Sequence, residues 1–242
     1  MKNILIALAF LCASSVVKAE SLKMVVIGNS VSQGTNIFGI GIWPDWNWSS
    51  GRKIDSHLMK LERERNMTVE FRNVSIVGAT SCLMEKEIYL LGKNFKPDYA
   101  TIEIGTNDFC LIGFNTDIAG HIKNTVDNLL DKNEQMEIVV SPIPKVTSMY
   151  DAIGSKPKCR LLWDIMCPRL LASWMTTEER NQVQKKIDKI NDEILRVANQ
   201  YPQVKFNRDL GHRPIRANEV SEVDCFHPSV LGQQAYSDTT WN

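Results

Sequence analysis

Strand-like and helix-like segments alternate along almost the whole chain, and this alternation limits the folds it can adopt. Short runs rich in β-branched residues are typical of buried strands, whereas apolar residues three or four positions apart indicate helices. The alternation predicts an α/β fold with a largely parallel sheet. The predicted strands are residues 22–27, 68–74, 99–104, 137–143 and 204–207, and the predicted helices are 54–65, 82–91, 118–130, 177–199 and 229–239. A capping-box pattern at Thr176 and Glu179 marks the start of the fourth helix.

The first 19 residues have the pattern of a secretory signal peptide. Lys2 supplies the positive start, an apolar run follows, and Val17-Lys18-Ala19 has the small residues of a cleavage site. The run is shorter than the roughly 20 apolar residues of a membrane helix. We therefore expect residues 1–19 to be removed and residues 20–242 to form one domain of a secreted or periplasmic protein. The net charge of zero gives no indication of a nucleic acid partner.

Three polar blocks lie at the ends of predicted strands or just before the last predicted helix. They are Gly-Asn-Ser at 28–30, Gly-Thr-Asn-Asp at 105–108 and Asp-Cys-Phe-His-Pro at 224–228. Ligands of parallel sheets bind beyond the carboxyl ends of the strands. Together the blocks offer a hydroxyl, an imidazole with a carboxylate, and an amide, which are the groups that a serine esterase needs. Each block alone also fits an ordinary polar turn, so the hypothesis depends on the combination.

Ser30 is the candidate nucleophile because it directly follows the first predicted strand, and Ser32 is a second choice. His227 is the candidate base and Asp224 the carboxylate that orients it, since a three-residue gap lets one loop present both side chains.

An alternative base pair has the same spacing. Asp209 and His212 are also three residues apart, but no helix is predicted directly after them, and the glycine at 211 indicates a looser loop. We therefore favour His227. The two other histidines, His57 and His121, fall on predicted helices and are expected at the surface.

Two further residues are candidates for an oxyanion hole. The side-chain amide of Asn107 and the backbone N–H of Gly78 would join the backbone N–H of Ser30 as uncharged donors to a carbonyl oxygen. Gly78 follows a strand-like stretch and so lies at a strand end, although a plain turn glycine is the simpler interpretation of this residue alone.

The four blocks, with Ser30, Gly78, Asn107 and the Asp224–His227 pair, resemble those of the SGNH (GDSL-type) hydrolases. The resemblance implies a three-layer α/β/α sandwich of the flavodoxin-like kind. It implies that Ser30, His227 and Asp224 form a triad, that Ser30, Gly78 and Asn107 form the oxyanion hole, and that no cofactor takes part. The stretches Gly-Thr-Asn-Asp-Phe-Cys and Asp-Cys-Phe-His are similar to the phospholipase B-like branch. That branch implies lipid or other acyl-ester substrates, although its members often have Phe-Ser where this chain has Pro228-Ser229.

Five cysteines follow the predicted signal peptide, and in an exported protein we expect them to form disulfides. The odd number leaves at least one thiol free or paired with another chain. Cys159 and Cys167 would close a small loop, and a bridge from Cys110 to Cys225 would brace the site, but the spacing leaves the pairing open, including that of Cys82. No Cys-x-x-Cys pair occurs, so no metal site is expected.

The stretch 37–48, shortly after Ser30, is rich in aromatic residues. Trp43, Trp46 and Trp48 are candidates to line a substrate pocket, and apolar walls suit an acyl chain. Tryptophan also stacks on sugar rings, so an acetylated glycan substrate or a non-catalytic glycan-binding module stays open, as does simple packing of these rings onto the core. Residues 145–175 form a possible inserted cap. Peripheral contact with membrane lipid is an accompanying expectation, and the oligomeric state is left open.

Overall fold

Five strands form one entirely parallel sheet. The computed structural model describes residues 21–112 and 116–241, so the predicted signal peptide lies outside the described residues. The strand order is β2-β1-β3-β4-β5, which is the flavodoxin-like order. The predicted α/β fold class is confirmed. The strands are β1 (Ser21–Gly28), β2 (Thr68–Asn73), β3 (Tyr99–Glu103), β4 (Glu137–Val140) and β5 (Val204–Lys205).

Helices cover both faces of the sheet and connect its strands. They are α1 (His57–Arg65), α2 (Met84–Leu91), α3 (Ile118–Leu130), α4 (Met149–Ile153), α5 (Pro157–Met166), α6 (Pro168–Leu171), α7 (Thr177–Ala198), α8 (Asp209–His212) and α9 (Val230–Trp241). Within the described ranges, no helix combines the length and the apolar character needed to cross a membrane.

The three layers follow from the alternation of side chains along β1. Val25 and Ile27 point into a core built with α2, α3 and α7, whereas Leu22, Met24 and Val26 point to the opposite face, where α1 and the end of α9 pack. Because a strand that is buried on both faces reads as a continuous apolar run, β1 was recognisable from its sequence.

Local chemistry sets several element boundaries. Helix α1 begins at His57, three residues later than predicted, because the Ser56 hydroxyl accepts the N–H of Met59 and caps the helix. The predicted capping box at Thr176 and Glu179 is confirmed at the start of α7. Strand β4 ends at Val140, before two prolines that cannot donate to a sheet.

His57 is buried, so the prediction of a surface position is wrong. Its two ring nitrogens contact the Tyr99 hydroxyl at 2.7 Å and the Thr240 hydroxyl at 2.8 Å. Burial lowers the pKa of His57 to about 3, so the ring is neutral. His121 is half-buried, and its Nδ1 lies 2.9 Å from the Ser81 hydroxyl.

The segment 145–175, for which no elements were predicted, folds into helices α4, α5 and α6 and packs into the main core. Two disulfides, Cys110–Cys167 and Cys159–Cys225, join it to the Gly-Thr-Asn-Asp block and to the loop of His227. The expected disulfides are thus present, but neither pairing considered from the sequence is correct. Cys82 is the exposed free thiol of the described chain.

Trp163 shows how closely this segment is packed. The ring lies in α5 and is fully buried, and its indole N–H donates to the carbonyl oxygen of Cys225 at 2.7 Å. A covalent bond and a buried hydrogen bond therefore fix α5 against the loop that carries His227.

Candidate active site

The turn that presents Ser30 depends on Gly28, the last residue of β1. Gly28 is paired with Glu103 of β3 and has φ +152°, and a Cβ here would lie 2.4 Å from the Glu103 carbonyl oxygen. Only glycine lets the two strands approach so closely. The Asn29 carboxamide then caps the turn, because its oxygen accepts the N–H of Val31 at 2.9 Å. Ser30 therefore lies at a tightly held turn beyond the carboxyl end of β1.

His227 lies between Ser30 and Asp224. Its Nε2 is 2.7 Å from the Ser30 hydroxyl oxygen, and its Nδ1 is 2.5 Å from Oδ2 of Asp224. The other carboxylate oxygen of Asp224 accepts the backbone N–H groups of Phe226 and His227, at 2.9 and 3.0 Å. This arrangement allows the imidazole to take the serine proton while the carboxylate holds the ring.

Asp224 is ionised at neutral pH. Burial raises its pKa, but the hydrogen bond and positive charge of His227, together with hydrogen bonds from Asn36 and the Phe226 amide, bring the pKa below its ordinary value. A negative charge therefore faces the imidazole, where it would stabilise an imidazolium if the ring took the proton of Ser30.

Asn107 lies just beyond the end of β3. Its Nδ2 donates to the Ala79 carbonyl oxygen at 2.9 Å. That bond uses one N–H of the amide and leaves the other to a ligand. Gly78, next to Ala79, is exposed and has φ +78°. The N–H of Ile76, two residues earlier, donates to the Gly28 carbonyl at 3.0 Å, so the Gly78 loop is tied to the end of β1.

Comparison with known proteins agrees with this geometry. The sequence model of the GDSL-like lipase/acylhydrolase family matches residues 26–235, which include all four blocks. The chain belongs to this family. At a general level, membership makes the protein an ester hydrolase.

Solved structures show that the GDSL-like fold extends over nearly the whole chain. An extracellular lipase from Streptomyces rimosus is 16% identical, with TM-score 0.57 and coverage of 90% of this chain and 97% of the lipase. A family 3 carbohydrate esterase from Clostridium thermocellum is 15% identical, with TM-score 0.57 and coverage of 91% and 93%. A lipase/acylhydrolase from Enterococcus faecalis is 16% identical, with TM-score 0.54 and coverage of 90% and 92%. No curated protein sequence matches significantly.

The alternative base pair of this GDSL-like chain does not supply the imidazole that contacts Ser30. Asp209 and His212 begin and end the short helix α8, where the sequence indicated a loop, and His212 is exposed. The imidazole that contacts Ser30 belongs to His227. Among the described residues, no group of three or more His, Cys, Asp or Glu side chains is placed to hold a metal ion.

The three tryptophans of stretch 37–48 in this GDSL-like chain differ in burial. Trp48 is fully buried, and its indole N–H donates to the Ser32 hydroxyl at 3.3 Å. The expectation that Trp48 lines a substrate pocket is therefore wrong, and Ser32, which is also fully buried, cannot meet a substrate. Trp43 and Trp46 are half-buried and pack edge-on against Phe38, with ring centroids 5.4 and 4.9 Å away.

Two buried acids lie directly behind the Ser30 turn, and sequence reasoning missed both. Glu87 of α2 accepts the N–H of Gly28 at 2.7 Å, and Glu103 of β3 accepts from the Asn29 amide at 3.3 Å. Burial raises the pKa of each carboxyl group to about 8. The signal available in the sequence was the position of Glu103 at the end of a strand that is otherwise apolar or small.

The wild type is expected to lose stability as the pH rises from 5 to 8. We expect the replacement of Glu87 by glutamine to reduce this loss. An unfolded glutamate ionises near 4.5, whereas folded Glu87 keeps its proton until about pH 8. The folded state therefore binds more protons in this window, and its stability falls as pH rises. Because glutamine stays neutral, the fall should be smaller by about 2 kcal/mol or more, given about 1.4 kcal/mol per pKa unit.

Chemical denaturation at both pH values measures this effect, with Glu85→Gln as the matched control. Glu85 is an exposed glutamate on the same helix, so its replacement should leave the pH dependence as in the wild type. Equal pH dependence in Glu87→Gln and wild type would contradict a protonated Glu87.

Proposed function

We propose that this chain is a serine carboxylester hydrolase that works through an acyl-enzyme. The observation that carries the proposal is the position of His227, within hydrogen-bond distance of both Ser30 and Asp224. The Ser30 oxygen attacks the ester carbonyl while its proton passes to Nε2 of His227. The same proton then goes to the leaving alcohol. Water attacks the acyl-enzyme with His227 again as base, and the acid is released.

In this proposal the negative charge on the carbonyl oxygen of the tetrahedral intermediate is held by three neutral donors. They are the backbone N–H groups of Ser30 and Gly78 and the free N–H of the Asn107 side chain. The bond from Asn107 to the Ala79 carbonyl supports this role, because it orients the amide before the substrate arrives. The chemistry requires no cofactor.

We assign lipid or other acyl esters as the substrate class. Support comes from the apolar surface that follows the nucleophile turn, where Ile40 is 94% exposed, Phe38 54% and Ile42 52%. Exposed apolar side chains in such a group mark contact with an apolar ligand or a lipid surface. Trp43 and Trp46 pack against Phe38 and would support this contact from behind.

We also assign the protein to an exported, oxidising compartment. The signal-like residues 1–19 and the two disulfides support this assignment, because disulfides persist mainly outside the cytosol.

A fluorescent phosphonate that labels activated serines tests the proposal. The wild type should be labelled, with the adduct mapped to Ser30, and Ser30→Ala should not be. Absent labelling of the folded wild type, or equal labelling of both proteins, would overturn the esterase assignment and favour a non-catalytic binding module. Hydrolysis of acyl esters of increasing chain length, a phospholipid and an acetylated sugar then identifies the substrate class.

A further inference from the structure

We propose that Asn36 is a positioning residue that holds the carboxylate of Asp224 against His227 and links it to the exposed apolar loop after the nucleophile. The inference rests on the proposed function, since it assigns a role within the same triad. The two residues are 188 positions apart, and the Nδ2 of Asn36 donates to Oδ2 of Asp224 at 2.7 Å.

The contact from Asn36 differs from the other hydrogen bonds of this carboxylate. Oδ2 also lies within hydrogen-bond distance of Nδ1 of the His227 ring. Oδ1 accepts hydrogen bonds from the backbone N–H groups of Phe226 and His227. These three donors belong to the same short loop as Asp224 and move with it. Among the described residues, Asn36 is the hydrogen-bond donor that reaches this carboxylate from outside the loop.

Asn36 is itself held at several points. Its backbone has φ +56°, a left-handed conformation that asparagine tolerates better than most residues. Its N–H donates to the Gly41 carbonyl at 2.8 Å, and its side-chain oxygen accepts the Gly41 N–H at 2.9 Å. Its carbonyl oxygen accepts the hydroxyl of Ser221, three residues before Asp224. Asn36 therefore closes the loop of residues 36–41 and joins it to the segment that carries Asp224.

The chemistry of the donor matters as much as its position. A neutral amide stabilises the carboxylate without cancelling its charge, so Asp224 remains a full negative charge facing the imidazole. The titratable side chains that face Asn36 are Asp224 and, on the same carboxylate oxygen, His227. An ionised carboxylate in place of the amide would have no hydrogen to donate, and it would repel the Asp224 carboxylate.

Two substitutions distinguish the role of the Asn36 side-chain N–H from the role of its left-handed backbone. Asn36→Gly keeps the left-handed backbone but removes the side chain. Asn36→Asp keeps an oxygen that accepts the Gly41 N–H, so it changes only the group facing Asp224. Asn66→Gly is the matched control, because Asn66 also has a left-handed backbone, with φ +50°, but is exposed at the end of α1 and outside the proposed site.

The experiment measures kcat and KM for a water-soluble short-chain ester from pH 4 to pH 9. For Asn36→Gly we expect kcat to fall about 10- to 100-fold with little change in KM, as for the loss of a hydrogen bond to a charged group. For Asn36→Asp we expect kcat above pH 7 to fall at least as far, because the ionised carboxylate has no hydrogen to donate and repels Asp224. Asn66→Gly should match the wild type in both kcat and KM.

The outcomes distinguish this proposal from the function on which it rests. If the wild type hydrolyses the ester and Asn36→Gly keeps kcat within about threefold, or Asn36→Asp keeps its kcat above pH 7, the positioning role is overturned while the esterase assignment stands. If the folded wild type reacts with neither ester nor phosphonate, the proposed function itself fails. Thermal unfolding of each variant identifies a loss of kcat that comes from unfolding, and a variant that unfolds is replaced by Asn36→Ser at the same position.

Discussion

Replacement of Ser30 by alanine is expected to lower kcat/KM for an activated ester by about 10⁴-fold or more. The loss removes the atom that attacks, and neither His227 nor Asp224 can substitute for it. Residual turnover would come from the oxyanion donors and from substrate binding alone. Initial rates at saturating and limiting ester, together with the melting temperature of the variant, measure the effect.

Ser32→Ala is the matched control for this experiment. Ser32 is the second serine of the same turn, but it is fully buried and accepts a hydrogen bond from Trp48. Its replacement should leave kcat/KM within about threefold of the wild type, with at most about 1–3 kcal/mol of lost stability from the unpaired indole N–H. A larger loss of activity in Ser32→Ala than in Ser30→Ala would contradict the assignment of the nucleophile.

Replacement of Asp224 by asparagine is expected to lower kcat by about 10³- to 10⁴-fold. In the wild type, one carboxylate oxygen of Asp224 accepts hydrogen bonds from both the His227 ring and the Asn36 amide. A carboxamide NH₂ at that place would face two donors. The imidazole is then favoured in the tautomer that carries a proton on Nε2, and it cannot take the proton of Ser30.

Asp209→Asn provides the matched control, because Asp209 has the same three-residue spacing to a histidine but lies in α8. We expect its kcat to equal that of the wild type. Comparable losses in the two variants, or less than a tenfold loss in Asp224→Asn, would show that the orienting carboxylate is not Asp224. Single-turnover rates of acylation and deacylation measure both variants at the same pH.

The fold was largely predictable because its main signals are local. Strand β1 is apolar on both faces and α7 has a capping box, so neither needs distant residues to be recognised. The predicted ends of the helices and strands were less accurate, because they depend on caps such as Ser56 and on where neighbouring strands stop pairing.

Features that depend on contacts across the fold were not predictable from the sequence. The disulfide partners of Cys159 and Cys167 are set by how α5 and α6 pack, and cysteine spacing does not encode that packing. His57 and Trp48 have polar atoms that find partners only after folding, so their burial had no local signal.

Prediction of the candidate site depended on local motifs and on contacts across the fold. The Ser30 and Asp224–His227 blocks were visible as motifs, but Asp209 and His212 had equal spacing, and only the fold shows which imidazole contacts the serine. Asn36 and Glu87 carry no motif at all. Their contacts with the triad and with the turn behind it arise from chain segments that meet only in three dimensions.

The order of the half-cystines along the chain has a consequence for proteolysis. Because Cys110–Cys167 and Cys159–Cys225 overlap in sequence, a single cut anywhere between Cys110 and Cys225 leaves two fragments that are still covalently joined. Asn107 and His227 would then lie on separate polypeptides of one molecule. This cross-linking would keep the proposed oxyanion donor and the proposed base together in a nicked molecule.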